Sequence, residues 1–130
     1  MAVIQPVNVR NDHGTYEKTM QWTPLTEADS GAYISIARFT DKTFQAFGTF
    51  GAGGAVTIYG SNNPADIAKE PSDGTSTWIP LTDVDGLGNM VLNAAKNGAQ
   101  ALENYTYNAC EVTAGTGVSL TVGVQGQRRV

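Results

Sequence analysis

The stretch FGTFGAGGAVTIYGSNNP, Phe47 to Pro64, decides the fold. Four glycines fall between Gly48 and Gly54, and an apolar run comes after them. Two kinds of structure use such a pattern. A phosphate-binding loop needs a helix after its glycines, so that the helix N-terminus faces the anion. A bend between strands needs only residues that accept positive φ, with another strand beyond them. Motif tests separate the two. Counted from Gly51, the sixth position of G-x-G-x-x-G is Val56, and no Gly-Lys-Ser/Thr comes after the glycines. The next residues are Ala55 to Gly60, where Val56 and Ile58 share one face while Thr57 and Tyr59 share the other. That is the period of a strand. The glycines therefore read as a bend.

Working outward, the same alternation recurs. Tyr33 to Phe39 and Thr43 to Phe50 read as strands on the N-terminal side, and Trp78 to Leu81 as a strand on the C-terminal side. Ser61 to Thr77, with Pro64, Pro71 and Ser72-Asp73-Gly74, reads as an exposed polar loop. Asp83 to Asn89 turns the chain. Asn89 to Asn104 contains Gly98 and four asparagines, all weak helix formers, so it reads as two short strands around Ala94 to Gly98. Tyr105 to Val112 and Val118 to Val124 flank Ala114-Gly115-Thr116-Gly117, which predicts a hairpin. Strands about every ten residues predict an all-β, single-domain β-sandwich or jelly-roll-like barrel over residues 22–130. Residues 1–21 read as an extended N-terminal arm: Val3, Ile4, Val7 and Val9 are interrupted by Pro6, which removes a ladder donor and suits an edge strand. The four apolar side chains of the arm are the candidate partner-binding residues, by strand addition to an open edge.

Composition narrows the function. The chain has 130 residues, 41% of them hydrophobic and 15% charged, which describes a folded domain. Its net charge of −4 argues against nucleic acid or an anionic membrane as partner, since both need a basic face. Arg128-Arg129 is the only adjacent basic pair, too little for a footprint. No segment reaches the ~20 apolar residues of a membrane-spanning helix. MAVIQPVNVR lacks the basic start and apolar run of a secretion signal, so synthesis in a cytoplasm is expected. Cys110 is the single cysteine, which excludes an intrachain disulfide.

The residues that carry catalysis elsewhere are isolated here. His13, the only histidine, lies beside Asp12 in a turn of the arm, away from any nucleophile. Cys110 sits in a strand-like run and reads as a small buried hydrophobe. One Cys and one His cannot make a zinc site. Asp83-Val84-Asp85-Gly86 suggests calcium, but Leu87 and Ala94 fall where an EF-hand needs oxygen ligands, and a turn is the better account. Trp22, Tyr59, Trp78, Tyr105 and Tyr107 suit either a sugar-stacking platform or the core, with Trp78 and one tyrosine as the expected core plug. Asn104-Tyr105-Thr106 is a glycosylation sequon without a secretion signal before it. No catalytic, metal or cofactor-binding residue is assigned, and no enzyme is expected.

Beyond these elements lies a resemblance. Trp22-Thr23-Pro24-Leu25 with Ala28-Asp29-Ser30-Gly31 resembles the W-x-P-L…x-D-[TS]-G opening of a family of small tailed-phage virion proteins. Asp41 to Gln45 with Phe47 to Gly51 resembles its D-[KR]-[ST]-x-Q-x-x-G-T-F-G, and Val56 to Asn62 its V-x-I-x-G-S-N. Trp78 to Gly86 and Val112 to Val122 resemble the later W-x-x-L-x-D-x-x-G and V-[TS]-x-G-x-G-x-S-L-x-V segments. The longer insert after Asn62-Asn63 departs from the pattern, as does Asn108-Ala109 where relatives often carry Arg-Pro. The resemblance implies a capsid decoration (cement) protein on the outer shell of a tailed bacteriophage. It also implies the major capsid protein as partner, a homotrimer, and no catalytic residues. The alternative is a carbohydrate-binding module of a phage tail or fibre, which requires exposed Trp78, Tyr59 or Trp22.

Overall fold

The computed structural model describes residues 2–10, 17–84 and 88–127. Within them lie eleven strands: β1 Val3–Ile4, β2 Val7–Arg10, β3 Glu17–Leu25, β4 Ser30–Ile34, β5 Asp41–Thr49, β6 Ala52–Ser61, β7 Ile79–Pro80, β8 Val91–Asn93, β9 Gly98–Gln100, β10 Tyr107–Thr116 and β11 Ser119–Gln127. One sheet, here sheet A, has the order β1-β4-β10-β6-β7, with β8 also pairing with β6. The other, sheet B, has the order β2-β3-β11-β5-β9. The two pack face to face as an open sandwich, and neither closes into a barrel. β3 begins at Glu17, inside the stretch read as arm, and β1 and β2 are hydrogen-bonded into the sheets.

The glycine stretch is the place where sheet B becomes sheet A. β5 belongs to one sheet and β6 to the other, joined through Phe50 and Gly51. The link between β10 and β11, Gly117 and Val118, makes the same crossing at the same end. Thr49 lies opposite Ser119 in sheet B, and Ala52 lies opposite Thr116 in sheet A. Register is thus kept across the fold line: a single antiparallel ribbon, residues 41–61 against 107–127, is bent double to form the centre of both sheets. The bend requires glycine. Gly51 has φ +62°, and a Cβ there would lie 2.0 Å from the Thr116 carbonyl oxygen. A Cβ on Gly115, φ +110°, would lie 2.5 Å from the Gly54 Cα. The predicted Tyr105–Val124 hairpin is corrected here. Its glycine-rich link joins strands that pair with different partners in different sheets, because the alternating apolar faces of both strands are buried against each other across the core.

That core is supplied by inward positions of both sheets. Trp22, Leu25, Phe44, Ala46, Leu120, Val122 and Val124 come from sheet B, and Val56, Ile58, Leu92, Cys110 and Val112 from sheet A. Each large apolar side chain so buried contributes about 1.5–3 kcal/mol. Trp22 is the largest of them, fully buried, with its indole N–H donating to the Ala32 carbonyl at 2.8 Å. Trp78 is buried as expected but lies outside the core cluster, against which Tyr105 packs. The predicted Tyr33–Phe39 strand is also shorter than its apolar run. β4 ends at Ile34, and Phe39 N–H donates to Ile36 O in a turn that carries the chain from sheet A to sheet B, with both apolar side chains still buried. The two short strands expected around Ala94 to Gly98 are present as β8 and β9, one in each sheet.

Residues 62–78 are exposed along most of their length, as their polar composition suggests, and they also form a cover. Pro64–Ala68 is a 3-10 turn capped by the Asn63 side chain, and it buries Asp66 completely. Asp66 accepts from the Ser61 hydroxyl at 2.6 Å, the Thr77 hydroxyl at 2.6 Å and the Thr77 N–H at 2.9 Å. Burial alone raises the carboxyl pKa, but those hydrogen bonds outweigh it and hold Asp66 below its ordinary value. Trp78 is buried and donates to the Lys69 carbonyl at 3.0 Å, pinning the segment from its other end.

Candidate interaction surface

Some parts of the sandwich surface are sealed and others are open, and the open parts are the candidates. Three central outward positions of sheet A are sealed. Ala109, Thr57 and Glu111 point away from the core, yet are only 2%, 6% and 8% exposed. Segment 62–78 crosses above them: Ile67 to Glu70 border β4, and Ser72 borders Glu111 and Thr113 on β10. The Ser30 hydroxyl joins cover to sheet, lying 2.9 Å from Glu70 Oε1 and 3.2 Å from Glu111 Oε2. One hydroxyl proton serves one carboxylate at a time.

The N-terminal edge is open. β1 pairs with β4 and β2 with β3, so residues 3–10 form the same lateral edge of both sheets. Of the four predicted partner-binding residues, Val3, Val7 and Val9 are 48%, 48% and 51% exposed, while Ile4 packs against the core. Asp29 holds this edge in place. Its carboxylate accepts from Ala2 N–H at 2.8 Å and from the N–H and hydroxyl of Thr26 at 2.9 and 2.8 Å. Burial pushes its pKa up, and these bonds more than reverse that, leaving it below the ordinary value. Beside β1 lies a notch of about 150 Å³ whose rim carries exposed Val3, Tyr33 and Ile67.

The outer face of sheet B is the second open region. Its rows read Thr19-Gln125-Thr43, then Gln21-Gly123-Gln45, then Thr121-Phe47, all outward and solvent-accessible. Phe47 is 47% exposed, and its ring leans over Gly123. No sequence motif marks this face. The one signal in the chain is the outward positions of β5 and β11 from Thr43 to Phe47 and from Thr121 to Gln125, which carry Thr, Gln, Gly and Phe.

The other predicted residues fall apart from one another. Cys110 is fully buried against Gly31 and Trp22, and burial pushes its thiol pKa well above the ordinary value, which makes it inert at neutral pH. Asp83 is buried and ion-paired with Lys96, while Asp85, Gly86 and Leu87 lie outside the described residues. Among the described residues no three His, Cys, Asp or Glu side chains converge on a metal-sized site. Asp12, His13, Arg128 and Arg129 also lie outside the described residues. Asn104 of the sequon accepts from buried Lys42 Nζ and donates to the Ala37 carbonyl at 2.8 Å. Trp22 and Trp78 are buried and Tyr59, Tyr105 and Tyr107 are half-buried, so the five aromatics form no open platform. The sequence matches no protein-family model, and no match is found among curated proteins.

Proposed function

We propose that this chain is a capsid decoration protein of a tailed bacteriophage, an adhesive β-sandwich that binds the outer shell and bridges neighbouring major capsid protein subunits. The observation that carries the reading is the N-terminal edge. It offers three exposed valines on the rim strands of both sheets, beside a notch whose rim carries Tyr33 and Ile67. Exposed apolar side chains on an edge strand suit addition of a partner's extended segment, with the valines as side-chain anchors. A protein that binds only the assembled lattice stabilises it by mass action, which is the whole of the mechanism. The order and spacing of the motifs from Trp22 to Val124 support the same reading.

Co-sedimentation with phage heads stripped of this protein tests the proposal. Saturable binding at a lattice stoichiometry is expected, with heads that survive more heat. Substituting Val3, Val7 and Val9 by serine should weaken binding while leaving thermal unfolding of the free protein nearly unchanged. Heads that bind nothing would sink the reading.

A further inference from the structure

We infer that the Met1–Ala2 peptide bond is a processing site, and that the α-ammonium group which its cleavage leaves on Ala2 pairs with the buried Asp29 carboxylate. The inference stands on the fold and goes beyond the shell-binding reading, on which it does not depend.

Three observations converge on residue 2. Ala2 is held through both of its backbone groups: its N–H donates to Asp29 Oδ1 at 2.8 Å, and its carbonyl accepts from Ser30 N–H at 2.9 Å. The chain is thus fixed at Ala2, just before β1 begins at Val3. Next, Asp29 is only 5% exposed, and its three hydrogen-bond donors, Ala2 N–H and the N–H and hydroxyl of Thr26, are all neutral. A buried charge is costly unless an opposite charge meets it. No lysine or arginine among the described residues pairs with Asp29. Finally, the charged side chains around this point are acidic. Glu70 and Glu111 converge on Ser30, the residue in register with Val3, and Glu27 lies two positions before Asp29. Lys69 is the cation on the rim of the notch, and it is turned to other partners. Its Nζ donates to the Thr75 carbonyl at 3.1 Å, and its charge acts on Asp66 and Asp73. An ammonium group on the Ala2 nitrogen supplies the absent positive charge, because that nitrogen already lies at hydrogen-bond distance from the carboxylate.

The chemistry is a hydrolysis. Water adds across the Met1–Ala2 bond: its hydroxyl goes to the Met1 carbonyl carbon and its remaining hydrogen to the Ala2 nitrogen. Methionine leaves as a carboxylate, and the proton given up by its new carboxyl group completes the α-ammonium. The enzyme required is an aminopeptidase of the class that takes methionine from in front of a small residue, and Ala2 is small and exposed. The product keeps the donor to Asp29 and adds a charge to it. A hydrogen bond between amide and carboxylate becomes an ammonium–carboxylate pair, which anchors the edge strand that carries Val3.

Intact mass spectrometry and the titration of Ala2 test the inference together. The chain purified from the cells that make it should be lighter than the full sequence by one methionine. Carbon NMR of the labelled Ala2 methyl group then follows the adjoining amine. A neighbouring carboxylate favours the charged form, so the amine should titrate about one pH unit above the roughly 7.7–8.0 of an ordinary chain end, and Asp29→Asn should return it to that range. Stability gives a second readout that does not depend on a variant of Asp29. The comparison chain is acetylated on Ala2, which keeps the N–H donor and removes the charge. A raised folded value contributes stability that is full below about pH 8 and is lost as the pH rises through it. The unfolding constant of the free-amine chain, relative to the acetylated one, should therefore be about tenfold smaller at pH ~7 than at pH ~10. Lys42 titrates in the same range but is common to both chains, so its effect cancels. A chain that keeps Met1, an Ala2 amine that titrates at or below the ordinary range, or a stability ratio indifferent to pH overturns the inference. Stripped-head binding is scored separately, so failure here leaves the shell-binding reading standing, and the reverse.

Discussion

The outer face of sheet A and the outer face of sheet B have the same origin, two halves of one ribbon bent at Gly51 and Gly117, and opposite relations to solvent. On sheet A, the central outward positions Thr57, Ala109 and Glu111 are buried beneath residues 62–78, which are tied down by Asp66, Trp78 and the Ser30–Glu70 contact. On sheet B, the equivalent central positions of β3, β11 and β5, from Thr19 to Phe47, are solvent-accessible, and their side chains are neutral. The difference teaches that in this molecule an exposed polar loop can also be a structural cover. The most polar loop is a structural cover held by a buried carboxylate, and the open face is one that carries almost no charge.

The comparison breaks most completely at the bend that gives both halves a common register. Gly51→Ala combines a disfavoured φ with a clash against the Thr116 carbonyl, and should cost about 4 kcal/mol or more. The expected result is loss of cooperative unfolding in a thermal or urea melt, with both sheets affected together.

Asp66→Asn attacks the cover alone. Replacing a buried, triply hydrogen-bonded carboxylate should cost about 2–3 kcal/mol, read as a lower urea midpoint. The pH dependence sharpens it. Asp66 is held below the ordinary value of 3.8, so its contribution is present above that pH and is lost as the pH falls through it. The wild type should therefore lose stability below pH ~4 more steeply than Asp66→Asn.

Between the two faces, at the inward side of β5, Lys42 is buried with Asn104 as its hydrogen-bond partner. Burial lowers its pKa to about 8 from 10.5, against the opposing pull of Asp41. A base with a lowered folded pKa penalises the fold most below that value, and the penalty fades as the pH rises from 8 towards 10.5. Lys42→Met should stabilise the protein by about 1–2 kcal/mol at pH 7, with the gain shrinking to nothing near pH 10. Differential scanning calorimetry across that range checks it. The smallest effect belongs to the bare face: Phe47→Thr should change monomer stability by no more than about 0.5 kcal/mol, because the ring is 47% exposed.

The architecture is legible in the sequence where alternation meets glycine. Val56 and Ile58 facing Thr57 and Tyr59, and Val118 to Val124 at every second position, lead directly to a sandwich. Topology is not legible at the second glycine link. A glycine-rich connection of this length serves a hairpin or a crossing between sheets equally well, and only pairing over long range, such as Thr116 with Ala52, distinguishes them. The cover is hidden because proline, serine and aspartate mark loops, while the burial of Asp66 depends on Ser61 and Thr77, five and eleven residues away from it. At the candidate site, Pro6 marks an edge, and Val3, Val7 and Val9 are exposed on it. The sheet B face has no local signature, because its defining property, missing charge, emerges only when β3, β5 and β11 lie side by side.

Tryptophan fluorescence with acrylamide quenching tests the contrast between the two faces most directly. Trp22 lies in the core and Trp78 beneath the cover, so blue-shifted emission with neither residue accessible to the quencher is expected. An emission in which one of the two tryptophans is freely quenched would mean that residues 62–78 do not seal sheet A, and the distinction between its face and that of sheet B would fall.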